Sequence, residues 1–231
     1  MLDLLQQGLS ELGLDAARAP RLAGFAERLL RKNEVMNLTA ITEPTAVAQL
    51  HLLDCAALLP LFDFTGKRVV DVGTGAGFPG IPLRLLCDDF DLTLLDSLGK
   101  RVTWLQEVCG EMGLARTECV HARAEEFAAD HREAFDLATS RAVAALPMLC
   151  ELALPLVRVG GCFLAMKSVE CGEELRSAAH AIEVLGGNIR CVKDYRIPTS
   201  AVTHRVICIE KVRPTPKGYP RAFAKIKKSP L

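Results

Sequence analysis

Two carboxylates and a run of glycines mark where chemistry is concentrated in this chain. Asp71 lies in the β-branched run Val69-Val70-Asp71-Val72, which is followed by Gly73, Gly75 and Gly77 at alternate positions and then by Phe78, Pro79 and Gly80. Glycine at such positions admits positive φ and lets backbone approach a ligand with no Cβ in the way. A strand that runs into a glycine turn and then a helix makes a cradle, because ligands of open α/β sheets bind outside the carboxyl ends of the strands. The spacing is not the G-x-G-x-x-G that cups a diphosphate. A carboxylate at that strand end repels phosphate and accepts hydrogen bonds from a cationic or amino-bearing ligand.

Asp96 follows about twenty residues beyond Gly77, at the end of the apolar run Leu92-Thr93-Leu94-Leu95, where the second strand of such folds presents a carboxylate to ribose hydroxyls. A nucleoside lacking phosphates meets both requirements, and S-adenosylmethionine is the common one. The expected contacts are Asp71, Gly73, Gly75, Gly77, Phe78, Asp96 and Ser97. For the glycines by themselves, a tight turn beside a solvated Asp71 is an equal alternative.

The elements that must position these groups divide into three stretches. Residues 1–64 carry apolar residues at helical spacing, with Leu2, Leu5, Leu9 and Leu12 in one helix and Leu22, Phe25, Leu29 and Leu30 in a second that opens at Pro20. Thr42 is expected to cap a third helix, on which His51 and Asp54 lie one turn apart. With Asn37 they form a polar cluster that either positions a substrate or serves as a structural His–Asp pair. Over residues 65–212 strands and helices alternate, with strands expected at 118–121, 135–139 and 162–167, a helix over 173–185, and a closing strand pair. The fold class is therefore α/β, a doubly wound, mostly parallel sheet with an N-terminal helical extension. Residues 213–231 form a basic tail.

In such a sheet the polar residues that end each strand converge on one edge. Arg141 there is expected to offer a bidentate fork to a cofactor carboxylate, and an adenine to stack near Phe78 or the Ala124-Glu125 segment. Lys100, Arg101, Arg123 and Lys167 give that edge a positive rim suited to an anionic substrate.

The formal net charge is zero, yet from Lys211 onward there are seven basic residues and no acid. Interleaved with Tyr219 and Phe223, they fit contact with phosphates and stacking on bases, while a solvated, disordered end fits the charge equally well. As an RNA grip, the tail is expected to be dispensable for cofactor binding. Nine cysteines without a C-x-x-C pair, most of them in apolar runs, are those of a reduced cytoplasmic protein, and no metal site is expected. Residues 1–7 lack a basic region followed by an apolar segment, and no run is long enough to span a membrane, so neither a secretory signal nor a membrane partner is expected.

With these motifs in view, the chain resembles the bacterial small-subunit rRNA (guanine-N7) methyltransferases, the family first named glucose-inhibited division protein B. The resemblance covers almost the full length. It is carried by Asn37-Leu38-Thr39-Ala40-Ile41, His51-Leu52-Leu53-Asp54, residues 71–82, residues 94–101, Ser140-Arg141-Ala142-Val143-Ala144, Met166-Lys167, Tyr219-Pro220-Arg221 and the closing Pro230-Leu231. It implies a Rossmann-like domain that methylates N7 of one guanine in the decoding-site region of 16S rRNA with S-adenosylmethionine. The implied cofactor contacts are Gly73, Phe78, Ala124, Glu125 and Arg141. The expected partner is 16S rRNA or the small ribosomal subunit, approached by a monomer through Lys100, Arg101, Arg123, Lys167, His204, Arg205, Tyr219 and Arg221. The chain departs from the family pattern at Gly218, Ala224 and Ile226, and has His204 where an arginine is usual. Because N7 carries a lone pair and no proton, no general base is expected, and Asn37, His51 and Asp54 are candidate positioners. A methyltransferase acting on protein or a small molecule, an NAD-dependent oxidoreductase and a non-catalytic ribosome-assembly factor are the competing readings. The glycine spacing and Asp71 disfavour the oxidoreductase, and the basic tail disfavours the first.

Overall fold

The computed structural model describes residues 1–231. Leu2–Glu11 (α1) buries Leu5 and Leu9, and Ala19–Met36 (α2) buries Leu22, Phe25 and Leu29. Asn37 ends α2 in the left-handed region at φ 50°, which asparagine tolerates better than most residues. Thr42 is not the next cap. Glu43 caps instead, its carboxylate accepting the backbone N–H groups of Thr45 at 2.9 Å and Ala46 at 2.7 Å, with Pro44 opening the helix. That helix, Pro44–Val47 (α3), widens into a π-helical turn over Ala48–Leu53 before Asp54–Ala56 (α4). Such widened turns shift side chains out of α-helical register. Here the turn carries His51 and leads directly into Asp54, and both are buried.

Seven strands follow: Lys67–Val72 (β1), Phe90–Asp96 (β2), Thr117–His121 (β3), Phe135–Arg141 (β4), Val157–Ser168 (β5), Gly187–Arg196 (β6) and Thr203–Lys211 (β7). They form one sheet in the order β3-β2-β1-β4-β5-β7-β6, in which β1 to β5 pair parallel and β7 runs antiparallel between β5 and β6. This is the doubly wound sheet that the strand–helix rhythm predicts. The direction of winding reverses at β1, which opens a crevice at the carboxyl ends of β1 and β4.

The connecting helices are Gly80–Leu86 (α5), Gly99–Glu111 (α6), Ala124–Asp130 (α7), Leu146–Ala153 (α8), Gly172–Ser177 (α9) and Ala179–Val184 (α10). The helix expected over 173–185 is thus two short ones. β5 starts five residues earlier than expected, at Val157, because its pairing with β4 tolerates an irregularity around Gly160, which sits at φ 82°.

Along β1 the side chains alternate between two cores. Val69 joins Phe25, Leu53 and Phe78, so the N-terminal helices share a continuous core with one face of the sheet. Val70 and Val72 join Leu149, Phe163 and Ile226 on the other face. Ile226 belongs to Phe223–Lys228 (α11), so the C-terminal segment is packed and not a free arm. Lys211, the first cation of that segment, is fully buried and donates to the carbonyls of Leu154 at 2.7 Å and Val157 at 3.1 Å.

Candidate active site

The turn after β1 is braced by Asp71. Its Oδ2 accepts from Thr74 Oγ1 at 2.6 Å and from Gly80 N at 2.9 Å, and its Oδ1 accepts from Thr139 Oγ1 at 3.1 Å. Burial pushes this carboxyl up to about 6 even though all three donors favour its charged form. Asp71 lines none of the cavities described below, which corrects the expectation of a cofactor contact: it ties both ends of the turn to β1 and β4. Gly73 (φ 68°) and Gly75 (φ 62°) do face the cleft, and a Cβ at Gly73 would stand 2.6 Å from Val143 Cγ2. Gly77 (φ 106°) packs instead against Ile81 and Leu105.

Three connected cavities run along the carboxyl edge of the sheet. The first, of about 150 Å³, is mostly apolar, with Val72, Leu95, Met148, Leu152 and Phe223 in its wall and Ala124 and Glu125 at its rim. The second, of about 510 Å³, shares Gly73, Asp96, Ser97 and Val143 with the first and adds Thr39, Phe78 and Arg141. The third, of about 410 Å³, shares His51, Arg141 and Ala142 with the second and extends to Asp54, Lys167 and His204. At the first junction Asp96 is 3% exposed, with Oδ2 accepting from Gly75 N and Oδ1 from Leu98 N, both at 2.9 Å. A carboxylate has about four acceptor sites, so capacity for ribose hydroxyls remains. An apolar pocket, a carboxylate, a glycine turn and a cationic wall, in that order, fit S-adenosylmethionine.

Arg141 is held at the second junction. Nη1 donates to Leu50 O at 2.8 Å and to Asp54 Oδ2 at 3.1 Å, and Nη2 donates to His51 Nδ1 at 2.9 Å. The guanidinium lies 4.7 Å from the centre of the Phe78 ring, on which His51 stacks at 4.5 Å. The free fork expected of Arg141 is therefore largely committed within the protein, because its neighbours need the charge. Of five N–H donors, two remain. Asp54, completely buried, also accepts from Tyr195 OH at 2.9 Å and pairs with His204 Nδ1 at 2.8 Å. Burial and the adjacent Arg141 push His51 down to about 4, whereas the hydrogen bond to Asp54 raises His204.

Of the expected polar cluster, His51 and Asp54 meet at the cleft while Asn37 stays exposed at the end of α2. Tyr195 carries no sequence signal of a place in the cleft, and Thr39 carries only its position in the Asn37-Leu38-Thr39-Ala40-Ile41 segment of the family resemblance. Phe223, expected to stack on nucleic acid, lines the first cavity with Arg123 4.7 Å over its ring.

The expected cationic rim is thinner than its residues suggest. Arg205 is held by both oxygens of Asp194, Arg221 by Glu151, and Lys167 by Glu174 and the carbonyl of Ala144. Arg101 stands 3.5 Å from Asp96, and the carbonyl of Tyr219 accepts from Arg132. Lys100, Arg123, Lys225, Lys227 and Lys228 are exposed. No group of three or more His, Cys, Asp or Glu side chains is placed to hold a metal ion, and no helix is long and apolar enough to cross a membrane.

Comparison with known proteins places the chain in a family. Residues 18–202 match the GidB family, described as rRNA small subunit methyltransferase G. The chain is 46% identical over 209 residues to ribosomal RNA small subunit methyltransferase G of Desulfitobacterium hafniense, covering 90% of this chain and 87% of that protein. It is 44% identical to the protein of the same name from Lachnoclostridium phytofermentans, covering 97% and 95%. The fold resembles that of M. jannaschii TYW2 in complex with AdoMet, with a TM-score of 0.54 at 14% identity over 65% of this chain and 72% of that one. A family match over residues 18–202 and relatives 44–46% identical across most of the chain lead to one conclusion: it belongs to the rRNA small subunit methyltransferase G family.

Proposed function

We propose that this chain transfers the methyl group of S-adenosylmethionine to N7 of one guanine in the decoding-site region of 16S rRNA. The carrying observation is the continuity of the cleft, in which the second cavity shares Gly73 and Asp96 with the apolar first one and Arg141 and His51 with a third of about 410 Å³. S-adenosylmethionine supplies a methyl group on a sulfonium centre, and a C–N bond to N7 forms as the C–S bond breaks. Since N7 has an in-plane lone pair and no proton, the residues need only hold the two reactants in line, which lowers the barrier through effective molarity. His51 accordingly has no proton to remove. Its Nδ1 is occupied by Arg141, and its ring packs on Phe78.

The target base must leave its stack to reach the cleft. Lys100, Arg123, Lys225, Lys227 and Lys228 are exposed and available for phosphate contacts. The names of the family relatives and the AdoMet of the structural neighbour support the cofactor and the substrate class. Nine free cysteines suit a cytoplasmic protein, and the reading is of a monomer acting on the small subunit.

The test is incubation with methyl-labelled S-adenosylmethionine and small subunits from cells lacking this protein, followed by mass mapping of 16S rRNA fragments. Label at N7 of a single guanine is the expected result. Label on protein, or on no polymer, overturns the reading.

A further inference from the structure

Thr39 stands in the cofactor side of the cleft with a hydroxyl whose hydrogen-bonding direction is fixed by its neighbours. Oγ1 lies 2.8 Å from His51 Nε2 and accepts the backbone N–H of Ile41 at 3.1 Å. Arg141 has only donors, so His51 Nδ1, 2.9 Å from Nη2, must accept. The neutral ring then carries its proton on Nε2 and donates it to Thr39. Both acceptor sites of the hydroxyl are filled, and its own proton has no other protein partner. The backbone of Thr39 is pinned as well, its N–H donating to Asn33 Oδ1 at 2.8 Å and its carbonyl accepting from Asn33 Nδ2 at 3.0 Å. A rigid donor is thus left unused in the wall that Thr39 shares with Gly73, Gly75 and Arg141.

We propose that Thr39 is a positioning residue that donates its hydroxyl proton to the carboxylate of the cofactor's amino-acid moiety, alongside the two N–H groups that Arg141 keeps free. The inference rests on the reading that the cleft holds S-adenosylmethionine. The sulfonium and the ammonium of that molecule cannot accept a hydrogen bond, and the ribose hydroxyls fall to Asp96 at the opposite end. Thr39 lines neither the apolar first cavity nor the third cavity beside Lys167 and His204, so the adenine and the incoming base are outside its reach.

Calorimetric titration of the full chain tests this with three ligands: S-adenosylmethionine, S-adenosylhomocysteine, which keeps the carboxylate but not the positive sulfur, and 5′-methylthioadenosine, which lacks the amino-acid moiety. Thr39→Val is expected to weaken the first two about tenfold and leave the third unchanged, while Thr39→Ser restores wild-type affinity for all three. Equal loss for all three ligands, or no loss for any, overturns the assignment. Should the valine variant not fold, Thr39→Ala makes the same comparison. Failure of the wild-type chain to bind S-adenosylmethionine at all would overturn the reading of the cleft itself, a result distinct from either outcome for the variants.

Discussion

Arg221 holds Glu151 through three hydrogen bonds, from its backbone N–H at 2.9 Å, Nε at 2.8 Å and Nη2 at 2.6 Å, and Glu151 is completely buried in α8. Two residues beyond this clamp, Phe223 enters the wall of the apolar cavity, and Ile226 reaches the core. The C-terminal segment therefore helps wall the apolar cavity as well as bearing charge.

Arg221→Ala leaves the buried Glu151 carboxylate without its cation and with only the backbone N–H of residue 221, a change expected to cost about 3 kcal/mol. Urea unfolding should register that loss, and affinity for S-adenosylmethionine should fall with it as Phe223 leaves the wall. Unchanged cofactor affinity would detach the clamp from the site.

The same packing predicts, against the expectation that the tail is dispensable, that removal of residues 213–231 should weaken cofactor binding, since it takes Phe223 and Ile226 with it. A surgical change separates the two roles. Replacing Lys225, Lys227 and Lys228 by glutamine should weaken RNA binding and make the slope of log K against log salt shallower by about 2, with cofactor affinity intact. A salt titration of RNA binding checks it, and an unaltered slope removes these lysines from the interface.

Asp71 as a brace predicts a different mutational pattern from Asp71 as a contact. Asp71→Asn keeps an oxygen for the Gly80 N–H, and the Thr139 hydroxyl can rotate to accept from the amide, so cofactor affinity should stay within a few-fold of wild type. Asp71→Ala strands the Gly80 N–H in the interior and should cost about 1–3 kcal/mol of stability together with cofactor binding. Calorimetry and thermal melts of the two variants decide the matter.

Two histidines of the cleft respond to pH in opposite senses. The folded value of His51 is about 4, against about 6.5 in the unfolded chain, so between these values the unfolded chain takes up a proton that the folded ring refuses. Stability should fall as pH drops through that window, by on the order of 3 kcal/mol. His204 is raised by Asp54, so its contribution is complete below about pH 6.5 and is lost as pH rises through its folded value. Urea titrations from pH 4 to 8 should show a flatter acid limb in His51→Gln and a flatter neutral limb in His204→Gln than in the wild type.

The sequence by itself determined the frame of this protein: the strand, glycine turn and helix at 67–86, the carboxylate ending the second strand, and the alternation that makes a parallel sheet. These are local properties, written in side-chain period and in the conformational range of glycine. It also drew Arg141, His51 and Asp54 into the site by residue type and by a shared family pattern. The tertiary structure alone decided what each group does there. Tyr195 reaches Asp54 across 141 positions and His204 across 150, and no local pattern encodes a meeting at that range. Whether Asp71 faces a ligand or braces a turn, and whether Thr39 gives or accepts a proton, depends on which donors surround it after folding. Hydrogen-bond direction is a property of the assembled neighbourhood, because each group's free donor or acceptor is whatever its neighbours have left unused.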